Sequence, residues 1–237
     1  MSEQGDSHRG AVSRVYSRYA RSRRKQRAWA ADNPGNIAIR GELLAHLLRL
    51  AGPEIAGAGA ILDVGCGRGW WLRQLVEAGV APERLHGIDI QPERVTAARQ
   101  VVPGAEIDVG DARRLPFPDG SFTVVLQLTL LSSLGSHGAI REALGDGMRV
   151  LAPGGLLLVY EPRVSNPLNR HTLKLRDSDL AVAGIGSREQ LTLTLLPALA
   201  RRLGGSTPAR YERLARLPLL RTHRLVSYRA PRAPGSD

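Results

Sequence analysis

From Ala60 onward the chain repeats one pattern: a short β-rich run, then a stretch with helical spacing. AILDV, LHGIDI, AEIDVG, TVVLQL and GLLLVY are the runs, and helical patterns follow the first, the second and the fourth. Strands that alternate with helices demand crossover connections, and these give a mostly parallel sheet covered on both faces. The expected fold is therefore α/β, a doubly wound sheet. After Arg163 the pattern loosens through residues 164–186, a length of irregular chain that suits a substrate-binding loop or lid. A helix is expected in SREQLTLTLLPALARRL, and RYERLARL with RTHRLVSYRA is expected to form an antiparallel hairpin at the sheet edge.

Upstream of the repeat, residues 8–27 place Val12, Val15, Tyr16 and Tyr19 on one stripe of a basic amphipathic helix. IAIRGELLAHLLRLAG reads as a second helix that ends at Gly52, with Pro53 as its stop signal. The expected organisation is an N-terminal helix or lid over 1–36, a main domain over 37–230 and a disordered tail over 231–237.

Charge is unevenly placed. The whole chain carries +11, with +6 in residues 1–27, +7 in 198–237 and −2 between them. Arginine supplies 31 of the 33 cations. The near-neutral body argues against a dedicated nucleic-acid surface, so no nucleic-acid partner is expected. Cys66 is the single cysteine, which excludes an internal disulfide and a cysteine-based zinc site, and no metal is expected. No apolar run approaches the roughly 20 residues that cross a bilayer, and the basic N-terminus lacks the apolar core of a secretory signal. A cytoplasmic protein is expected.

The motif richest in chemistry is ILDVGCGRG, residues 61–69. An apolar strand ends in Asp63 and Val64, and Gly65, Gly67 and Gly69 then carry the chain into a helix. Glycines allow the sharp turn and let a ligand approach the backbone without a Cβ in the way. Dinucleotide sites use G-x-G-x-x-G/A, in which the third small residue lets helix pack on strand. Here that place is Trp70, so a dinucleotide is disfavoured. Asp89 and Asp111 close the next two strands, where ligands of doubly wound sheets bind. Asp89 suits a ribose, Ile90 a purine face and Asp111 an exocyclic amine.

Over residues 37–163 the chain resembles the class I S-adenosylmethionine-dependent methyltransferases, through ILDVGCGRG, GIDIQPERV, GDARRLPFPDGSF and RVLAPGGLLLVYEPR. The resemblance implies seven strands with the last one antiparallel, and S-adenosyl-L-methionine as cofactor. It also implies that Asp63, Gly65, Cys66, Gly67 and Gly69 hold the methionine end and that Asp89 binds the ribose beside Ile90. Asp111 and Ala112 would meet the adenine, and Gln127 and Leu128 would line the sulfonium.

Methyl transfer needs the acceptor held in line and water kept out, so the lack of a catalytic triad counts for nothing against it. Ser132 and Ser133 stand where many small-molecule members of this family carry histidine, and no N/D-P-P-Y/F sequence follows strand four. Glu161 and His171 are the candidates for proton transfer, with His137 a weaker one. Tyr16, Tyr19, Ser132 and Tyr160 are the candidates for touching the substrate. The expected activity is methylation of a small molecule, at oxygen of a sugar or secondary metabolite. An RNA methyltransferase using the basic ends, or a cofactor-binding protein without methyl transfer, are the alternatives, and a homodimer is one oligomeric state left open.

Overall fold

The computed structural model describes residues 30, 32–164, 172–181, 187–203 and 207–232. A seven-stranded sheet organises them: β1 (Ile61–Val64), β2 (Leu85–Asp89), β3 (Glu106–Val109), β4 (Phe122–Leu128), β5 (Leu151–Pro162), β6 (Ser187–Leu195) and β7 (Arg221–Arg229). Their order across the sheet is β3-β2-β1-β4-β5-β7-β6. Neighbours are parallel except around β7, which runs antiparallel to both β5 and β6. The doubly wound fold with an antiparallel last strand is therefore present.

β1 is buried along its whole length, as a strand covered on both faces must be. On one face, helix α1 (Pro34–Ala56) lays Leu43, Leu47, Ala51 and Ile55 against the sheet at intervals of four. α2 (Trp70–Glu77) adds Leu72 and Leu75 there, and α3 (Pro92–Val101) adds Val95 and Ala98. α4 (His137–Arg149) covers the other face with Ile140, Ala143 and Leu144. α1 begins where the Asn33 side chain accepts a hydrogen bond from the Gly35 N–H at 2.9 Å, with Pro34 as its first residue. The Ser136 hydroxyl caps α4 in the same way, through the Ala139 N–H at 3.1 Å.

Three sequence expectations are corrected. α1 does not stop at Gly52 but continues through Pro53 to Ala56, because Ile55 still has a place in the core. SREQLTLTL is strand β6, not the start of a helix: Leu191, Leu193 and Leu195 alternate along it, and only PALA (α5, Pro197–Ala200) is helical. RYERLARL is not a strand, since α6 (Thr207–Ala215) buries Tyr211 and Ala215 one turn apart. The antiparallel partner of β7 at the sheet edge is therefore β6, which pairs Leu193 with His223 and Leu195 with Arg221. The N-terminal helix with Tyr16 and Tyr19 lies outside the described residues, as do His171 and much of 164–186.

Candidate active site

At the tip of β1 the chain turns through Gly65, Gly67 and Gly69, all three with positive φ of 57–78°. The Gly65 and Cys66 N–H groups donate to the Ile88 carbonyl at 2.6 and 3.0 Å, and this ties the turn to β2. A side chain at Gly69 would press on Ala98 of α3 at 3.2 Å, whereas at Gly67 nothing lies within 4 Å. Gly69 is thus required by packing, and Gly67 borders open space.

Two carboxylates meet beneath this turn. Asp89 accepts from the Gly67 N–H at 3.0 Å and from the Gln91 N–H at 2.9 Å, and Arg94 stands 3.9 Å away. Asp63 is 1% exposed, and its Oδ2 is buried with no hydrogen-bond partner. Burial, with a smaller contribution from the charge on Asp89, pushes the Asp63 carboxyl up to about 7. A buried acceptor without a donor is costly unless a ligand supplies one, so Asp63 fits a cationic or N–H-bearing partner. Burial also pushes the Cys66 thiol well above its ordinary value, so Cys66 is a packed neutral group.

The remaining sequence candidates fall into different surroundings. Ile90 is half-buried beside Asp89, and Ala112 is buried next to Asp111. Asp111 is engaged by Arg113, whose Nη2 lies 2.5 Å from Oδ2 and whose Nε lies 3.0 Å from both oxygens. Leu128 faces the α1 side of the sheet. Gln127 points the other way, and its Nε2 donates to the Ala143 carbonyl at 2.8 Å. Any part Gln127 plays at a sulfonium therefore falls to its backbone.

Glu161, the strand-tip candidate for proton transfer, is held inside the protein. It is 0% exposed, its Oε1 accepts from the Leu131 N–H at 2.5 Å, and its Oε2 accepts from the Ser132 N–H at 3.3 Å. Burial pushes its carboxyl up to about 7, against the pull of those N–H groups. It anchors the 3₁₀ turn Leu131–Ser133 that follows β4. Ser132 is buried with it, at 2% exposure. His137 is held by Asp179, with Nδ1 and Oδ2 2.6 Å apart, and so fastens the turn Asp177–Leu180 to α4.

Tyr160 lies on the opposite face of β5 from Glu161. Its hydroxyl is 2.7 Å from the Thr194 hydroxyl, and its ring stacks on His223 with centroids 4.9 Å apart. Around it runs a buried polar network with no sequence motif to announce it. The Glu42 carboxylate accepts from the Thr194 N–H at 2.9 Å and from the Tyr211 hydroxyl at 2.7 Å, and Thr222 Oγ1 lies 3.0 Å from His223 Nδ1. Burial, aided by Arg201, pushes the His223 imidazole down to about 4, so it is neutral at physiological pH. Nearer the glycine turn, the Arg40 guanidinium lies 4.9 Å over the Trp70 ring.

Among the described residues no group of His, Cys, Asp and Glu forms a metal site, and no helix is long and apolar enough to cross a membrane. A groove of about 820 Å³ follows α4 past Arg141, Met148 and Arg149, and none of the described cofactor or substrate candidates lines it.

This sheet order, with a glycine turn after β1 and acids closing β1, β2 and the β3 segment, defines a Rossmann-like methyltransferase fold. Residues 61–155 match the methyltransferase domain family, and this stretch is similar to class I S-adenosylmethionine-dependent methyltransferases. It is 30% identical over 161 residues to the phthiotriol/phenolphthiotriol dimycocerosates methyltransferase of Mycobacterium leprae, with 61% of this chain and 58% of that protein covered. Against the demethylmenaquinone methyltransferase of Chlorobaculum parvum it is 31% identical over 144 residues, covering 58% and 56%. The chain thus spans little more than half the length of these relatives. Among solved structures, the N-methyltransferase NodS of Bradyrhizobium japonicum superposes with a TM-score of 0.59 at 20% identity, covering 84% of this chain and 98% of that one.

Proposed function

We propose that the chain transfers a methyl group from S-adenosyl-L-methionine to a small-molecule acceptor. The observation that carries this reading is the partnerless buried oxygen of Asp63, set beneath a glycine turn that is open at Gly67 and beside Asp89 at the next strand tip. A cofactor with an ammonium-bearing tail and a ribose satisfies that set of acceptors, so the residues fit the group.

In this reading Asp63, with the turn Gly65, Cys66, Gly67 and Gly69, holds the methionine end. Asp89 takes the ribose, and Ile90, Asp111 and Ala112 take the adenine, Asp111 while already paired to Arg113. Leu128, with the backbone of Gln127, borders the sulfonium. When bound, the cofactor supplies an electrophilic methyl group. The protein's share is to position the acceptor and exclude water, which lowers a barrier by about 7–11 kcal/mol when orientation is complete.

Tyr160, backed by Thr194 and His223, and Ser132, in the turn after β4, stay proposals for acceptor contact. Tyr16 and Tyr19 stay proposals for acceptor contact, and His171 for proton transfer. The names of the relatives describe lipid and quinone substrates of those proteins, which supports a small organic acceptor here. Oxygen of a sugar or secondary metabolite is the acceptor atom we propose. Calorimetry with S-adenosylmethionine, S-adenosylhomocysteine and NAD tests the cofactor: the first two bind and NAD does not. Tight NAD binding overturns the reading, and a screen of phenols, sugars and amines for a methyl mass shift tests the acceptor.

A further inference from the structure

Where α6 runs into β7 the protein presents apolar side chains to solvent. Leu219 is 97% exposed, Leu217 51% and Leu196 41%. The Leu196 N–H donates to the Leu220 carbonyl at 2.8 Å and the Leu220 N–H to the Leu217 carbonyl at 3.0 Å, so the three leucines share one tip. Scattered single leucines on a surface need no explanation, but this tip has a particular border.

Between residues 196 and 221 there are six arginines and a single acid, Glu212. Arg202, Arg210, Arg213 and Arg216 are exposed, and among the described residues none of them has a carboxylate within salt-bridge distance. Elsewhere Arg73, Arg99, Arg149 and Arg229 are all ion-paired. Helical spacing turns Arg210 and Arg213 away from the buried Tyr211 and Ala215, and Arg216 directly precedes Leu217 in the chain.

Exposed leucines ringed by uncompensated guanidinium groups match the two layers of an anionic membrane surface. Phosphates take the arginines, and the acyl boundary takes the leucines. Arginine suits such a border because its stem lies along apolar surface while its planar head pairs with phosphate. A second copy of the chain would bring the same arginines face to face, which like charge opposes. An RNA would satisfy the arginines and leave the leucines in water.

We propose that the Leu196–Leu217–Leu219 tip docks this protein on an anionic phospholipid bilayer. Because β7 runs antiparallel to β5 and pairs His223 with Pro162, the tip sits at the sheet edge where β1, β2, β4 and β5 end. Docking there turns the glycine-turn side of the domain toward the lipid, within reach of an acceptor dissolved in it. That last step rests on the methyl-transfer reading, whereas the docking itself does not.

The test is co-sedimentation of the full chain with phosphatidylcholine vesicles, with and without about one-third phosphatidylglycerol. The expected result is binding to the anionic vesicles only, lost at roughly 0.5 M salt. Leu217→Ser with Leu219→Ser is expected to weaken binding by about tenfold, and each Arg→Gln at 210, 213 or 216 by about fivefold. Thermal melting and S-adenosylmethionine calorimetry of the double variant, both expected unchanged, report its fold. If neither protein binds that cofactor the methyl-transfer reading fails, and the vesicle result still decides the surface. The proposal is overturned if the wild type ignores anionic vesicles, or if the double leucine variant binds as tightly as wild type. It is equally overturned if light scattering shows a dimer that the leucine substitutions dissolve, or if RNA displaces the vesicles from both proteins alike.

Discussion

The Asp89 carboxylate reaches from the end of β2 to the Gly67 N–H, 3.0 Å away, and so closes the glycine turn from below. Its other oxygen accepts from the Gln91 N–H, yet each oxygen keeps a lone pair for a ligand. One side chain therefore shapes the glycine turn and, in the proposed reading, binds the ribose. Asp89→Ala is expected to lose S-adenosylmethionine affinity by about a hundredfold, and stability by about 1–3 kcal/mol through the stranded N–H groups. Asp89→Asn, which keeps one acceptor, recovers most of the stability and little of the affinity. Calorimetry and thermal melting separate the two effects, and unchanged affinity in the alanine variant would sink the ribose assignment.

Asp63 gives a prediction in pH. Its carboxyl titrates at about 7 in the folded chain and near 4 when unfolded. Between those values the folded state holds the extra proton, so stability falls as pH rises from about 4 to 7 and stays reduced above. Asp63→Asn should therefore differ least from wild type near pH 4 and melt several degrees higher than wild type at pH 8, since 1 kcal/mol is about 2–4 °C at this size. The same variant should bind S-adenosylmethionine poorly at every pH. Equal melting temperatures at pH 8 would show that Asp63 is not strained by its burial.

Two glycines only two residues apart should fail differently. At Gly69 an added methyl meets Ala98 at 3.2 Å and must also adopt a φ of 78°, so Gly69→Ala is expected to lower the melting temperature markedly. At Gly67 the space is open, so Gly67→Ala carries only the cost of its positive φ, about 1–2 kcal/mol. Its main loss should be cofactor affinity. If Gly67→Ala binds S-adenosylmethionine normally, no ligand approaches the turn there.

Glu161→Gln replaces one acceptor oxygen with an NH₂ group that faces the Leu131 or Ser132 N–H. A loss of about 1–3 kcal/mol is expected, with a lower turnover caused by displacement of the Leu131–Ser133 turn. The pH dependence of the remaining activity should keep its wild-type shape. A limb near pH 7 that disappears in the variant would restore Glu161 as the base.

The parallel half of the fold was legible because its strands are apolar runs separated by helical patterns, with an acid or glycine at the tips of β1, β2 and β3. The cofactor side of the site was legible for the same reason, since Asp63, the three glycines and Asp89 all lie within a few residues of strand ends. Beyond Arg163 the signals conflict. Leu193 and Leu195 alternate as a strand requires, but with Leu196, Leu199 and Leu203 they also fit a helix, so the helical period extends upstream into β6. In α6, Tyr211 and Ala215 are spaced for a helix while Arg210, Arg213 and Arg216 around them obscure the period. The network of Glu42, Thr194, Tyr211 and Tyr160 joins residues up to 169 positions apart, and no local pattern could reveal it. Glu161 was assigned chemistry from its place at a strand tip, but the Leu131 and Ser132 N–H groups that occupy it are set by tertiary packing.

The insertion of β7 between β5 and β6 has a consequence for synthesis. Both partners are made before it, and each has no neighbour on that side until residues 221–229 leave the ribosome. Nascent chain short of this segment exposes the flank of a nearly complete sheet, a ready template for aggregation. Closure of the sheet therefore waits for this last strand, and a premature stop codon upstream of Arg221 yields a product for proteolysis instead of a weakened protein.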